Sequence, residues 1–470
     1  MTMPRANVNS SSARELPSEC LPEPHPSFLM NNPKKLLIIT SSGGGGLIQA
    51  ANAKEQEARA GDPHVSIVRR DLLKDWMGKW VGQASTNLWN QAQLKGDVAA
   101  QKFFAWAQLS IAEYIFWPSV FFHALSTFFK EDVDEIIDTQ CLGTSAILSA
   151  LQIFNRIRKK QVKVQKVLVD LPTKKATHFF HPIKKLSKKN RSLLQLIAIP
   201  PLLEEGQTEE EFWQKHCRLS EAEVHCGDVY VRQGFKKLQN KTRPHTAMKF
   251  KLKVKNSEEL ELMKKTFERG PIHWQIREGE VEFAVEPSDR MFTVLLGSNP
   301  ANLSTFNYVK NFIPLAKQAK QPVHLFVFCA DHKPGEESLF RKIAEFVESC
   351  EGYPARLSII PFSFQSDEEV APLFFRSDAT CTRSGGQTAM ELMCVSTGEI
   401  WIHSEAKRTQ GRDPSQEELL KGIPGWESES AVYLQKKWGA KITTPEIFSS
   451  LVLDSLQANG LQVHSTRPVE

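Results

Sequence analysis

The run Arg383-Ser384-Gly385-Gly386-Gln387-Thr388 leads straight into AMELM, a sequence of helix formers. Two glycines before a helix leave backbone N–H groups uncovered where the helix dipole favours negative charge. That arrangement holds a diphosphate, and Thr388 can add a hydroxyl. Glu391 falls on the first turn. An ionised carboxylate only accepts hydrogen bonds, so it can take both hydroxyls of a ribose. The same spacing also describes a capping box with no ligand, Thr388 as N-cap and Glu391 as its partner. On these residues alone the two readings stand level.

A second glycine run, Gly43-Gly44-Gly45-Gly46, lies between the apolar Lys35–Thr40 and the helix-forming Leu47–Arg59. Strand, glycine turn, helix is the opening of a doubly wound α/β domain, with a ligand approaching the backbone at the helix N-terminus. The spacing is not GxGxxG, so a dinucleotide is not specifically indicated. A third turn, beginning Gly297-Ser298-Asn299, follows a strand-like Phe292–Leu296 and precedes a helical stretch. Asp170, His178 and His181 cluster within VLVDLPTKKATHFFHP and are the candidate general bases. Such a base contributes about 10²–10⁴-fold. His216-Cys217 and His225-Cys226 lack the spacing of metal ligands, and no metal is expected.

TRSGGQTAMELM resembles the donor-site motif of GT-B glycosyltransferases of glycosyltransferase family 28. These include monogalactosyldiacylglycerol synthases, bacterial diacylglycerol glucosyltransferases and the peptidoglycan enzyme that adds N-acetylglucosamine to lipid I. Four more stretches resemble the family in the same order: SSGGGGLIQAANA, DPHVSIVRRDLLKDW, VLVDLPTKKATHFFHP and LLGSNPAN, with GIPGWESESAVYLQKKWGAKI closing the series. The resemblance implies a GT-B fold, two Rossmann-like doubly wound domains facing across a cleft. It implies transfer of a hexose, with inversion, from a nucleoside diphosphate sugar, UDP-linked first of all, to a lipid acceptor. No cofactor is implied.

Carried over residue by residue, Glu391 would hold the ribose. Arg383, Ser384, Gly385, Gly386, Gln387 and Thr388 would lie at the diphosphate, with Ser298 and Asn299 nearby. Glu427 would sit by the hexose, and Gly43–Gly46 would form the acceptor loop. The chain departs from the family in three places. Gly46 stands where the family has a histidine, Pro300 where it often has glycine, and Trp426 where it has glutamine before the acid. A nucleotide-sugar epimerase, a glycosyltransferase acting on protein (as for a bacterial effector), and a non-catalytic membrane- or protein-binding relative are the alternatives.

The elements that must position these residues fit a chain of 470 residues, enough for two or three domains at about 100–200 residues each. Its 24% charged and 9% aromatic content exclude a disordered or fibrous chain. Eight cysteines without a CxxC pair point to a reducing, cytoplasmic setting. The reading assigns 1–32 to a disordered leader, 33–201 to an acceptor domain and 202–290 to an insertion or inter-domain region. It assigns 291–440 to the nucleotide-sugar domain and 441–470 to a C-terminal helix and tail.

Within the acceptor domain, Phe103–Phe129 is apolar enough to suggest a membrane span, but Glu113, Pro118 and His123 interrupt it. Two buried helices broken at Pro118 are expected; a surface that dips into a membrane is the alternative. Thirteen Lys/Arg against one acid fall between Asn155 and Arg191, so this stretch carries +12 and the remainder −7. Lys159–Lys189 beside an aromatic stretch suits an anionic membrane surface, at about 1 kcal/mol per basic residue. A peripheral place at the inner face of a membrane follows; nucleic acid is not expected, as no helix-turn-helix, zinc-finger or RNP signature is present.

Overall fold

The protein is described by a computed structural model covering residues 33–107 and 111–457. The leader 1–32 and the tail beyond 457 lie outside the described residues. The first lobe begins β1 (Lys35–Thr40), α1 (Gly45–Gly61), β2 (Ser66–Asp71), and a π-helical turn at Leu72–Trp76. A helical excursion follows: α2 (Lys79–Leu94), α3 (Val98–Ala107), α4 (Glu113–Ile115) and α5 (Trp117–Glu131). The chain re-enters the sheet with β3 (Glu135–Asp138), α6 (Thr144–Arg158) and β4 (Val164–Val167). Then come α7 (Thr177–Lys184), α8 (Lys188–Arg191), β5 (Leu194–Ala198), α9 (Glu209–Cys217) and β6 (Val224–Cys226). All six strands are parallel, in the order β2-β1-β3-β4-β5-β6.

After α10 (Gln233–Lys236) the second lobe opens with β7 (Met248–Lys253), α11 (Ser257–Phe267), β8 (Trp274–Arg277) and β9 (Glu280–Val285). Its main sheet is built from β10 (Arg290–Leu295), α12 (Asn302–Ala316), β11 (Val323–Phe328), α13 (Leu339–Ser349) and β12 (Leu357–Phe362). It continues through α14 (Asp367–Arg376), β13 (Ala379–Thr382), α15 (Gly386–Val395) and β14 (Glu399–His403). α16 (Gln416–Lys421), α17 (Gly425–Trp438), β15 (Lys441–Thr443) and α18 (Ser449–Gln457) complete it. These six parallel strands run β12-β11-β10-β13-β14-β15, and β7-β9-β8 form a separate antiparallel sheet.

β1 and β11 read as continuous apolar runs because helices cover both faces of a parallel sheet, and every residue of β11 is buried. The two lobes are doubly wound and face each other across a cleft, the GT-B architecture the resemblance implies. In each, strand order reverses beside the first strand. The crevice beyond the carboxyl ends of β1 and β3, and of β10 and β13, is where such sheets bind ligands. All three turns singled out in the sequence leave those strand ends.

The expected boundaries need two corrections. Residues 202–290 are not one unit: α9 and β6 finish the first sheet, while β7–β9 and α11 pack into the apolar core of the second lobe. Residues from 441 are more than a helix and tail, since β15 is the sixth strand of the second sheet.

The Phe103–Phe129 stretch also departs from expectation. The break comes before Pro118, which sits in the first turn of α5 where its missing N–H has no partner to lose. Val120, Ala124 and Phe128 turn inward, but Phe103, Trp106, Tyr114 and Phe122 are exposed, Phe122 by 66%. Among the described residues no helix is long and apolar enough to cross a membrane. Nor is the basic run a single solvated face. Lys166 is wholly buried, its Nζ 2.7 Å from Asp138 Oδ2 and 2.8 Å from Thr144 Oγ1. Lys185 sits at the edge of the aromatic surface, 3.0 Å from the Tyr114 hydroxyl.

Three apolar clusters hold the molecule. One fills each lobe; the third draws Leu36, Ile38 and Ala51 of the first lobe together with Phe374, Met390 and Leu434 of the second, through Val231 and Phe235 of the crossing segment. α10 is pinned on both sides: Gln233 N donates to Gln56 Oε1 and Gly234 N to Asp367 Oδ2, each at 2.8 Å.

Candidate active site

The ends of β1, β4, β10 and β13 surround one cavity of about 240 Å³. Gly43, Gly44, Gly45 and Gly46 line it from the first lobe; Ser298, Asn299, Arg383, Gly385, Gly386, Gln387, Thr388, Glu391 and Glu427 line it from the second. Asp170 and His178 complete the wall. Residues from five separate stretches of sequence therefore share one space. Two residues fall elsewhere. Ser384 is buried behind the wall, where its hydroxyl donates to the Glu427 carbonyl at 2.7 Å and ties the glycine turn to α17. His181 is exposed on α7, away from the cavity, and partial burial with the charges of Lys185 and Lys184 holds its imidazole below the ordinary value.

The glycines are used for close approach. A Cβ at Gly386 would lie 2.2 Å from the Val169 carbonyl oxygen and 2.4 Å from Asp170 Cα, both backbone of the opposite lobe. Gly385, with a φ of −63°, has open space around its missing side chain. Gly386→Ala is expected to cost about 1–3 kcal/mol by forcing the lobes apart, and Gly385→Ala close to nothing. Urea denaturation of the two variants measures the difference; equal midpoints would refute this contact.

His178 Nε2 and Asp170 Oδ2 are 2.6 Å apart, so the carboxylate fixes the ring and its tautomer. The imidazole also meets the Trp426 ring edge-on at 5.7 Å. Gly46 Cα carries no side chain, and a Cβ there would be 3.6 Å from Val169 Cγ1, the residue before Asp170. Gly46, Asp170 and His178 line the same cavity.

On the second lobe, Arg383 donates to both oxygens of Glu427, at 3.3 and 3.2 Å. Burial pushes the Glu427 carboxyl above the usual carboxylate range, Arg383 draws it back and Asp170 pushes it up again. Cys141 also lines the cavity, but burial pushes its thiol up to about 12, so it holds no thiolate for nucleophilic work at neutral pH. Two polar atoms of residues on the wall, Trp89 Nε1 and Gln387 Oε1, are buried without a hydrogen-bond partner. Among the described residues no three His, Cys, Asp or Glu side chains stand together as metal ligands.

Glu391 differs from what the sequence suggests. Arg232 grips it with both arms, Nε to Oε1 at 2.8 Å and Nη2 to Oε2 at 3.1 Å, and both residues are buried. Neither the empty capping box nor a free carboxylate describes it: it is half of a buried bidentate ion pair that also borders the cavity. Each carboxylate oxygen keeps a second lone pair. Arg232 lies 159 residues away in sequence, and no motif pointed to it. The same is true of Trp89, Gln93 and the Phe328, Phe364 and Phe374 side chains on the wall.

No protein-family profile matches the chain, and no curated protein matches it. Solved structures do. MurG of Acinetobacter baumannii is 12% identical, with 91% of this chain and 96% of that one covered and a TM-score of 0.39. A UDP-glucosyltransferase from Polygonum tinctorium is 11% identical, covering 90% and 93%, with a TM-score of 0.44. The UDP-GlcNAc 2-epimerase of Neisseria meningitidis is also 11% identical, covering 91% and 95%, at 0.39. At these values the similarity is one of chain layout and says nothing about activity.

Proposed function

We propose that the chain is an inverting glycosyltransferase that moves a hexose from a UDP-linked sugar to a lipid hydroxyl at a membrane surface. The observation that carries this reading is the single cavity joining both glycine turns to the His178–Asp170 pair. The acceptor hydroxyl gives its proton to His178, on the ring nitrogen that Asp170 does not hold. Its oxygen then bonds to the anomeric carbon while the bond from that carbon to the diphosphate oxygen breaks, through an oxocarbenium-like transition state. Amides at the start of α15 and the Arg383 guanidinium stabilise the departing negative charge. Asp170 keeps the imidazole oriented and favours the imidazolium that forms.

The lipid acceptor is inferred from the surface rather than the cavity. Exposed aromatic side chains with lysines at their edge form an interfacial patch, and Lys185 on Tyr114 joins the two kinds of residue.

A thermal-shift screen across UDP-, GDP- and dTDP-sugars tests the donor. A specific donor at 100 times its Kd adds about 2.7 kcal/mol of stability. No shift with any of them overturns the reading, as does epimerised sugar recovered from UDP-GlcNAc incubated without an acceptor.

A further inference from the structure

The hairpin of α2 and α3 has two unlike faces. Toward the second lobe it turns amides: Asn299 Nδ2 donates to Asn90 Oδ1 and Gln93 Oε1, both at 3.1 Å, and Arg383 Nη2 donates to Gln101 Oε1 at 2.7 Å. Trp89 stacks on Trp426 at 6.0 Å. The connecting Gly96, at φ +65°, comes so close to Glu405 that a Cβ would sit 2.4 Å from its carboxylate. Away from the lobe, Trp80, Leu88, Phe103 and Trp106 are exposed, Trp80 by 91%. Lys79, Lys95 and Lys102 stand exposed among them against one acid, Asp97, so this face is apolar and cationic together. Such a patch fits a lipid surface of negative charge.

The inner face engages groups that a bound donor would need. Asn299 spends its amide hydrogens on neutral amides, and Arg383 Nη2 is shared between Gln101 and the Glu427 carboxylate; an anionic diphosphate would displace the hairpin amides with a stronger, charge-assisted bond. The lobes are fastened to each other behind the cavity by the shared apolar cluster and α10, whereas the hairpin meets the second lobe through the amide bonds and the Trp89–Trp426 stack. It rests on its own lobe chiefly through the turn Leu72–Trp76, and Gly78, at φ +104° with nothing near its missing side chain, forms its entry point.

We propose that α2–α3 is a lid which an anionic membrane holds open. The outer face enters the interface, the inner amides release Asn299 and Arg383, and the donor diphosphate takes their place. The movement of the lid stands on the contacts above; the identity of the anion it competes with rests on the glycosyltransferase reading. A membrane can shift the lid only by binding its open form better, and the coupling to donor affinity is reciprocal.

Calorimetry with UDP, with and without vesicles of 70% phosphatidylcholine and 30% phosphatidylglycerol, reads the coupling, which for such linkages is about 5–150-fold in Kd. UDP is expected to bind about tenfold tighter or more with vesicles. Asn90→Ala, Gln93→Ala and Gln101→Ala together should give the vesicle-free protein that higher affinity. Trp80→Ser, Phe103→Ser and Trp106→Ser together should leave vesicle-free binding unchanged and abolish the response. Amide hydrogen exchange over 79–107 is the second readout and needs no nucleotide: exchange around Asn90–Gln101 should quicken on adding vesicles. Unchanged exchange with vesicles bound, a response that survives the triple serine substitution, or an equal response to pure phosphatidylcholine overturns the proposal. If exchange quickens but UDP binds in no condition, the lid stands and the nucleotide reading falls.

Discussion

On the proposed reaction, replacing His178 with alanine is expected to lower hexose transfer about 10²–10⁴-fold and to leave UDP affinity where it was. The split follows from position. His178 belongs to the first lobe, 2.6 Å from Asp170, whereas the turns assigned to the diphosphate leave β10 and β13 of the second. Losing the imidazole removes the proton acceptor and no group assigned to the donor. Asp170→Asn keeps the shape but loses the charge that orients the ring, and falls in the same direction by less. The double variant H178A/D170N falls no further than H178A alone, because groups that act as a unit are not additive. Initial rates at saturating donor, with calorimetry of UDP beside them, separate the two effects. Full activity in H178A would remove this base from the reaction.

Glu391→Ala costs the free protein about 3–5 kcal/mol, before any ligand is added. The reason is Arg232. With the carboxylate gone, Arg232, only 7% exposed, keeps its charge and loses both of its hydrogen bonds to Glu391. Breaking one side of a buried pair is far more harmful than removing both. Arg232→Met with Glu391→Met should therefore recover most of the loss. Urea denaturation of the two single variants and the double completes the cycle. A residue that served only to hold a ribose would leave the apo protein untouched on substitution, so an unchanged midpoint for E391A would refute the structural role of the pair. The ligand readings diverge too: E391A is expected to weaken UDP binding, but only a stability-matched comparison with R232M assigns that loss to the ribose.

How much of this the sequence disclosed depended on how local each signal was. Lys35–Thr40 followed by glycines, and Phe292–Leu296 followed by Gly297–Asn299, are legible because a buried strand, a turn and a helix start are all written within a dozen residues. β6 and β15 are three residues each, too short for any period, and their place in the sheets is decided by partners far along the chain. His178 and His181 share one short helix, and spacing alone does not say which of them meets Asp170. The apolar stretch Phe103–Phe129 reads as core because composition does not distinguish a side chain turned inward from one turned to a lipid; here Phe128 is buried and Phe122 exposed. Asn90, Gln93 and Gln101 are ordinary polar residues of an amphipathic hairpin, and only their contact with Asn299 and Arg383 gives them meaning.

The apolar cluster common to both lobes bears on how this chain can change over generations. In proteins whose halves touch lightly, either half can be exchanged for a relative's and the product still assembles. Here Ile38 and Ala51 belong to one buried apolar cluster with Phe374, Met390 and Leu434. A graft would carry one side of that contact without its complement. Core substitutions in α1, α10, α14 and α15 are therefore expected to be non-additive in their effect on stability.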